Sequence, residues 1–153
     1  GNPERFDLPR PLVGRKGCDF SFSGLKTAVR RMADGFGENG AASPQDVADL
    51  CAGFQTAVGD VLVDRCRNAV KPFRDRNNGG KSLVLAGGVA ANGYLRARLE
   101  TLAGEEGLRL FCPPPGLCTD NGAMIAWAGV ERLKRGMTDD LDFAPRPRWP
   151  LDQ

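Results

Sequence analysis

Ser82-Leu83-Val84-Leu85-Ala86-Gly87-Gly88-Val89-Ala90-Ala91-Asn92 is the stretch on which the fold turns. Its first five residues are a short apolar run, the kind found in a strand buried on both faces. Gly87-Gly88 breaks the run, and a helix is expected from about Asn92 to Ala103, carrying Tyr94, Leu95, Leu99 and Leu102. Gly104–Gly107 ends that helix, and Leu108-Arg109-Leu110-Phe111 reads as a second strand. A strand–helix–strand unit of this length predicts two parallel strands joined by a right-handed crossover. After Pro113-Pro114-Pro115-Gly116 a further helix is expected from about Asn121 to Arg135, small on one face through Gly122, Ala123, Ala126 and Gly129.

Working back from this unit, Ser43-Pro44-Gln45-Asp46 is a helix start: serine caps, proline takes the first helical position and the aspartate favours the positive end. Val47, Cys51, Phe54, Val58, Val61 and Leu62 then hold a helical period to about Lys71, with Gly53 and Gly59 expected to kink the helix or admit a close neighbour. Asn77-Asn78-Gly79-Gly80 is a turn. Upstream, Phe20-Ser21-Phe22-Ser23 alternates as a short edge strand would. Gly24–Asp34 has helical spacing with Ser23 as its cap, and Gly35–Ala42 reads as a loop. The expected organisation is an extended arm over 1–19, an α/β half over 20–136 and a tail over 137–153 in which Trp149 packs on the surface or on a neighbour. Two clear strands and one doubtful one fall short of a usual sheet of ~5–6. The remaining strands are therefore expected upstream of Gly1, or from a second copy.

Composition narrows the chemistry. The chain has 153 residues, 41% hydrophobic and 26% charged, with a net charge of +2. That balance neither demands nor excludes a nucleic-acid partner. There is no histidine, so no Ser-His-Asp or Cys-His unit and no imidazole metal site can be built from this chain alone. Five cysteines are scattered without a C-x-x-C, which argues against a disulfide scaffold and for a reducing cytoplasm. No apolar run approaches ~18 residues, so no membrane span is expected.

Two strand-to-helix turns are the candidate site. Gly87 and Gly88 at the carboxyl end of a parallel strand let a ligand approach the backbone, and amides at the next helix start favour anions or polar ligand edges. Asn92 offers a donor and an acceptor for ribose, phosphate or adenine; its bland alternative is a helix cap. Asp120, in Cys118-Thr119-Asp120-Asn121-Gly122, lies after the second strand and is expected at the same rim as Asn92. It is a hard oxygen donor for a metal or a ribose hydroxyl, or, with Thr119, an ordinary cap. Lys26 lacks the glycine spacing of a phosphate loop and reads as a surface lysine. Arg65, Arg67, Lys71, Arg74 and Arg76 would touch RNA phosphates or form a solvated helix face, the latter favoured by the intervening Asp64 and Asp75.

Three motifs together resemble a known family. Asp19-Phe20-Ser21-Phe22-Ser23-Gly24-Leu25-Lys26-Thr27, Ala86-Gly87-Gly88-Val89-Ala90-Ala91-Asn92 and Cys118-Thr119-Asp120-Asn121-Gly122-Ala123-Met124-Ile125-Ala126 occur in this order in TsaD proteins, once labelled O-sialoglycoprotein endopeptidases. The resemblance implies the actin-like ATPase (ASKHA, RNase-H-like) fold shared with sugar kinases, here only its C-terminal half. It implies transfer of threonylcarbamoyl from threonylcarbamoyl-adenylate to the adenosine beside the anticodon of tRNAs that read ANN codons, by a fragment inactive alone. It further implies TsaB-like and TsaE-like partners and an N-terminal half supplying the rest of the site. By motif, Gly87, Gly88 and Asn92 would bind the adenylate. Asp120 would be one ligand of an iron or zinc ion completed by two histidines absent from this chain. The alternatives are a non-catalytic TsaB-like scaffold and, less well supported, a metallopeptidase.

Overall fold

A computed structural model describes residues 1–36, 42–77, 79–145 and 147. Two compact units divide at Thr119 and Asp120, and each is described by itself. In the first unit, α1 (Ser23–Asp34) is followed by the 33-residue α2 (Pro44–Arg76), β1 (Ser82–Val84), α3 (Gly93–Glu105) and β2 (Arg109–Phe111). The second unit carries α4 (Gly122–Lys134). The architecture is α/β, with a parallel two-stranded sheet pairing Ser82 with Arg109, Leu83 with Leu110 and Val84 with Phe111.

The start of α2 follows its sequence. Ser43 Oγ accepts from the Asp46 amide at 3.1 Å, and Asp46 Oδ2 accepts from the Ser43 amide at 3.0 Å. These reciprocal bonds satisfy two of the donors a helix start leaves open. The helix passes Pro72 and ends at Arg76, five residues beyond the expected Lys71. Its last turn is held from outside: Arg74 donates to the Glu106 carbonyl, and Asn77 Nδ2 donates to the Phe73 carbonyl at 2.8 Å. Gly53 and Gly59 admit neighbours. A Cβ at Gly53 would stand 3.3 Å from the Pro3 carbonyl and 3.4 Å from Leu8 Cδ1, and one at Gly59 would stand 3.2 Å from the Tyr94 ring.

Residues 1–19 have no regular secondary structure but lie along α2. Leu8 is buried with Leu25, Leu50 and Ala57, and Phe6, Phe22, Met32 and Phe36 pack around them. Burying a leucine of this kind is worth ~1.5–3 kcal/mol. Polar bonds fix the arm's path: Arg5 NH1 donates to Asp49 Oδ2 at 2.8 Å, and the Asn2 amide donates to Asp49 Oδ1 at 2.6 Å. These contacts hold the Asp49 carboxyl down to about 2, Arg5 contributing most. Asp60 receives Arg10 Nε from the arm at 3.1 Å and Arg98 NH2 from α3 at 2.9 Å, so one carboxylate joins three segments.

Three sequence expectations are corrected. Phe20–Phe22 form no strand, and α1 begins at Ser23 with Phe22 at the cap position, so Ser23 is not the cap. The alternation is real, since the Phe20 and Phe22 rings stack with centroids 6.4 Å apart, but no strand among the described residues pairs with it. The β1 strand is not buried on both faces: Leu83 is half-buried and Val84 is 68% exposed. Leu83 and Leu110 share the half-buried face of the pair, while Ser82, Val84, Arg109 and Phe111 on the opposite face are exposed, and the apolar run carries no record of which face stays open. Arg65 does not belong to a solvated face. It is 1% exposed, donates to the Gly17 carbonyl at 3.2 Å and the Arg15 carbonyl at 2.8 Å, and pairs with Asp64. No helix of the described residues is long and apolar enough to cross a membrane. Trp149, residues 37–41 of the expected loop and Asn78 of the expected turn lie outside the described residues.

Candidate functional site

The first turn leaves β1 through Leu85 and Ala86. Gly87 adopts φ 77°, a left-handed conformation that a side chain would strain, and there is open space where a Cβ at Gly87 or Gly88 would stand. A short 3-10 turn over Gly88–Ala91 follows, closed by the Ala90 amide on the Gly87 carbonyl at 2.9 Å. Asn92 is extended and caps α3: its Oδ1 accepts from the Leu95 amide at 3.1 Å. Its Nδ2 donates to Gln55 Oε1 at 3.0 Å. The cap expected as the bland alternative is therefore present, and one amide hydrogen and one lone pair of Asn92 remain for a ligand. Gln55, one α2 turn from the Gly59 notch, had no signal in the sequence, because it acts on a residue 37 positions away.

An open hollow of about 430 Å³ adjoins this turn, lined by Phe22, Phe54, Val58, Val89, Asn92 and Leu95 among others. Its walls are apolar and Asn92 is a polar group at its side, the pattern of a small-molecule site.

The second turn follows β2. The Pro113–Cys118 loop closes on itself, the Leu117 amide donating to the Pro114 carbonyl at 2.9 Å and the Cys118 amide to the Pro115 carbonyl at 3.1 Å. The Cys118 thiol is buried against the Pro113 and Pro114 carbonyls, each 3.6 Å away. In the second unit the cap of α4 is Asn121, whose Oδ1 accepts from the Met124 amide at 2.8 Å. This corrects the expected cap at Thr119 or Asp120. Asp120 is exposed and takes no part in capping, so its carboxylate stays available.

No group of three or more His, Cys, Asp or Glu side chains gathers among the described residues. Asp120 supplies a single oxygen ligand, and one ligand does not hold iron or zinc. The residues described here therefore do not fit a metal on their own.

The remaining candidates have structural partners. Arg67 pairs with Glu105 and Glu106, Lys71 with Asp75, and Arg74 with Glu106, so most of the basic cluster is neutralised within the fold. Lys26 is exposed. All five cysteines are free thiols, Cys118 buried and Cys66 half-buried, with desolvation pushing the Cys66 thiol up.

The chain is an α/β unit with an open glycine turn at the end of a parallel strand, and comparison with known proteins shows its family. The chain belongs to the TsaD family: the family described as tRNA N6-adenosine threonylcarbamoyltransferase matches residues 1–127. Proteins named tRNA N6-adenosine threonylcarbamoyltransferase are similar to it in Rhodospirillum rubrum (58% identical over 152 residues, 99% of this chain) and Methylocapsa acidiphila (57% over 152 residues, 99% of this chain). One in Cereibacter sphaeroides is 54% identical over 154 residues, 100% of this chain. The chain spans 42% of the length of each of these relatives.

Proposed function

We propose that this chain is the C-terminal part of a tRNA N6-adenosine threonylcarbamoyltransferase with the actin-like ATPase fold, working in the cytoplasm. The observation that carries the reading is the family match over residues 1–127. The open Gly87-Gly88 turn and the half-buried Asn92 support it, because they offer backbone and amide groups to an adenylate where open α/β sheets take ligands. In the reaction, the N6 amine of the adenosine beside the anticodon attacks the carbamoyl carbon of threonylcarbamoyl-adenylate. A carbon–nitrogen bond forms and the carbon–oxygen bond to the phosphate breaks. AMP leaves with the bonding electrons, and the amine gives up one proton to solvent. No side chain of this chain acts as a nucleophile; its contribution is to hold the two reactants in line.

In this reading Asp120 is one ligand of an iron or zinc ion whose other ligands lie outside the chain. TsaB-like and TsaE-like proteins, tRNA and the rest of the polypeptide complete the assembly. A scaffold reading draws on one observation: Asn92 already has two partners of its own.

The deciding measurement is transfer of labelled threonylcarbamoyl to tRNA by the protein at the full length of its relatives. Asn92→Asp keeps an oxygen for the cap but removes the amide donor and adds a charge. Transfer is expected to fall about tenfold or more. Asp120→Ala is expected to abolish transfer while this chain's thermal stability is unchanged. Unaltered transfer by both variants would leave the scaffold reading standing.

A further inference from the structure

Arg96 occupies the fourth position of α3, where the side chain leans back toward the helix start. Its Nε and NH2 donate to the Ala90 carbonyl at 3.1 and 2.8 Å. The same NH2 reaches the Pro113 carbonyl at 3.4 Å and the Cys118 sulfur at 3.8 Å. Ala90 belongs to the turn after β1, and Pro113 and Cys118 belong to the loop after β2. One guanidinium therefore touches both strand-to-helix connections at the carboxyl edge of the sheet.

Helix stability does not explain this residue. A cation in the first turn stands at the positive end of the helix dipole, where it is disfavoured. Its acceptors lie instead in the two loops: Nε and NH2 both donate to the Ala90 carbonyl, and NH2 is the nitrogen that also reaches the Pro113–Cys118 loop. Cys118 supports the same view: its thiol is 2% exposed, against two proline carbonyls of its own loop and Arg96 of the neighbouring helix.

We propose that Arg96 is a positioning residue that locks the Gly87–Asn92 turn to the Pro113–Cys118 loop and so fixes the adenylate-binding edge. This rests on the function proposed above. Asn92 sets where α3 begins; Arg96 sets where the turn before it stands against the neighbouring loop. A lysine ends one atom short of NH2, the nitrogen that reaches the Pro113–Cys118 loop, and leaves that loop unheld.

The test uses the full-length protein with Arg96→Lys and Arg96→Ala. Peptide-resolved alkylation by iodoacetamide reads the lock directly, with Cys66 and Cys112 as internal controls. Cys118 is expected to react about tenfold faster in both variants while the controls hold their rates. The KM for the adenylate should rise about tenfold and that for tRNA stay within about twofold, with Arg96→Lys folding normally yet failing to restore the KM. Continued protection of Cys118 in Arg96→Lys overturns the proposal, as does acceleration of all three thiols together or an unchanged adenylate KM. If the wild-type protein transfers nothing, the functional reading fails, and the alkylation rates still decide whether the lock exists.

Discussion

The helices α3 and α4 are near twins in local design and opposites in environment. Each has 13 residues, and each is opened by an asparagine whose oxygen accepts from the amide three residues on. Yet α3 buries Leu95, Leu99, Leu102 and Ala103, whereas α4 buries nothing and leaves Ile125 67% and Trp127 72% exposed. Cap and length are properties of the segment itself. Burial needs a partner, and α3 has one in α2, where Gly59 lets Tyr94 and Arg98 come close. Local sequence therefore suffices to make each helix, while the cohesion of the described chain is concentrated before Asp120.

The sharpest way to break this contrast is to delete a leucine from each helix. Leu99→Ala should lose ~2–5 kcal/mol in urea unfolding, and Leu133→Ala should stay within ~0.5 kcal/mol. Equal losses would show that α4 has a packed face after all. The caps should behave alike: Asn92→Ala and Asn121→Ala are each expected to cost ~1 kcal/mol of helix stability, followed by circular dichroism, with Asn92→Asp recovering most of it. Glycine replacement should separate the two sides again. Gly129→Ala meets open space and should gain ~0.5–1 kcal/mol, a gain that Gly59→Ala forfeits by crowding Tyr94 and Arg98.

The smallest expected effect is a pH slope set by the carboxyls at the start of α2. Asp49 is held down to about 2, chiefly by Arg5, and Asp46 is lowered chiefly by the Ser43 hydroxyl. A carboxyl lowered in the folded state stabilises it in full above its unfolded value of about 4, and that contribution fades as the pH falls toward 2. The urea midpoint should therefore drop between those limits, and Asp49→Asn should flatten the drop. An unchanged slope in Asp49→Asn would show that the arm is not held by this cluster.

What the sequence disclosed was whatever is encoded within a few residues. The Ser43–Asp46 box, the parallel pair around α3 and the need for glycine at 87 were all legible, because each is a local rule with a residue signature. Contacts between distant segments were not. Leu8 looks like one apolar residue in a polar arm, and nothing near it announces a place beside Leu25 and Leu50. Arg65 read as part of a solvated stripe because its acceptors, the Arg15 and Gly17 carbonyls, are backbone groups that leave no mark in composition. At the candidate site, Asn92 stands out in the sequence for its chemistry, but Gln55 and Arg96, which hold it and its turn, were invisible until the chain was folded. The family motifs reached further, since the resemblance they suggested is the family to which the chain belongs.

The two notches of α2 have a consequence for how this chain can vary. Gly53 receives the arm and Gly59 receives α3, and a helix turns by about 100° per residue. The six-residue interval between them acts as an index that sets the angle at which two otherwise unrelated segments meet the same rod. Within that interval Ala57 is buried and Gln55 accepts from Asn92, so the spacing and these contacts are kept together. Insertion or loss of a single residue would swing one notch by more than a quarter-turn and throw the amino-terminal arm and the Gly87–Asn92 turn out of phase.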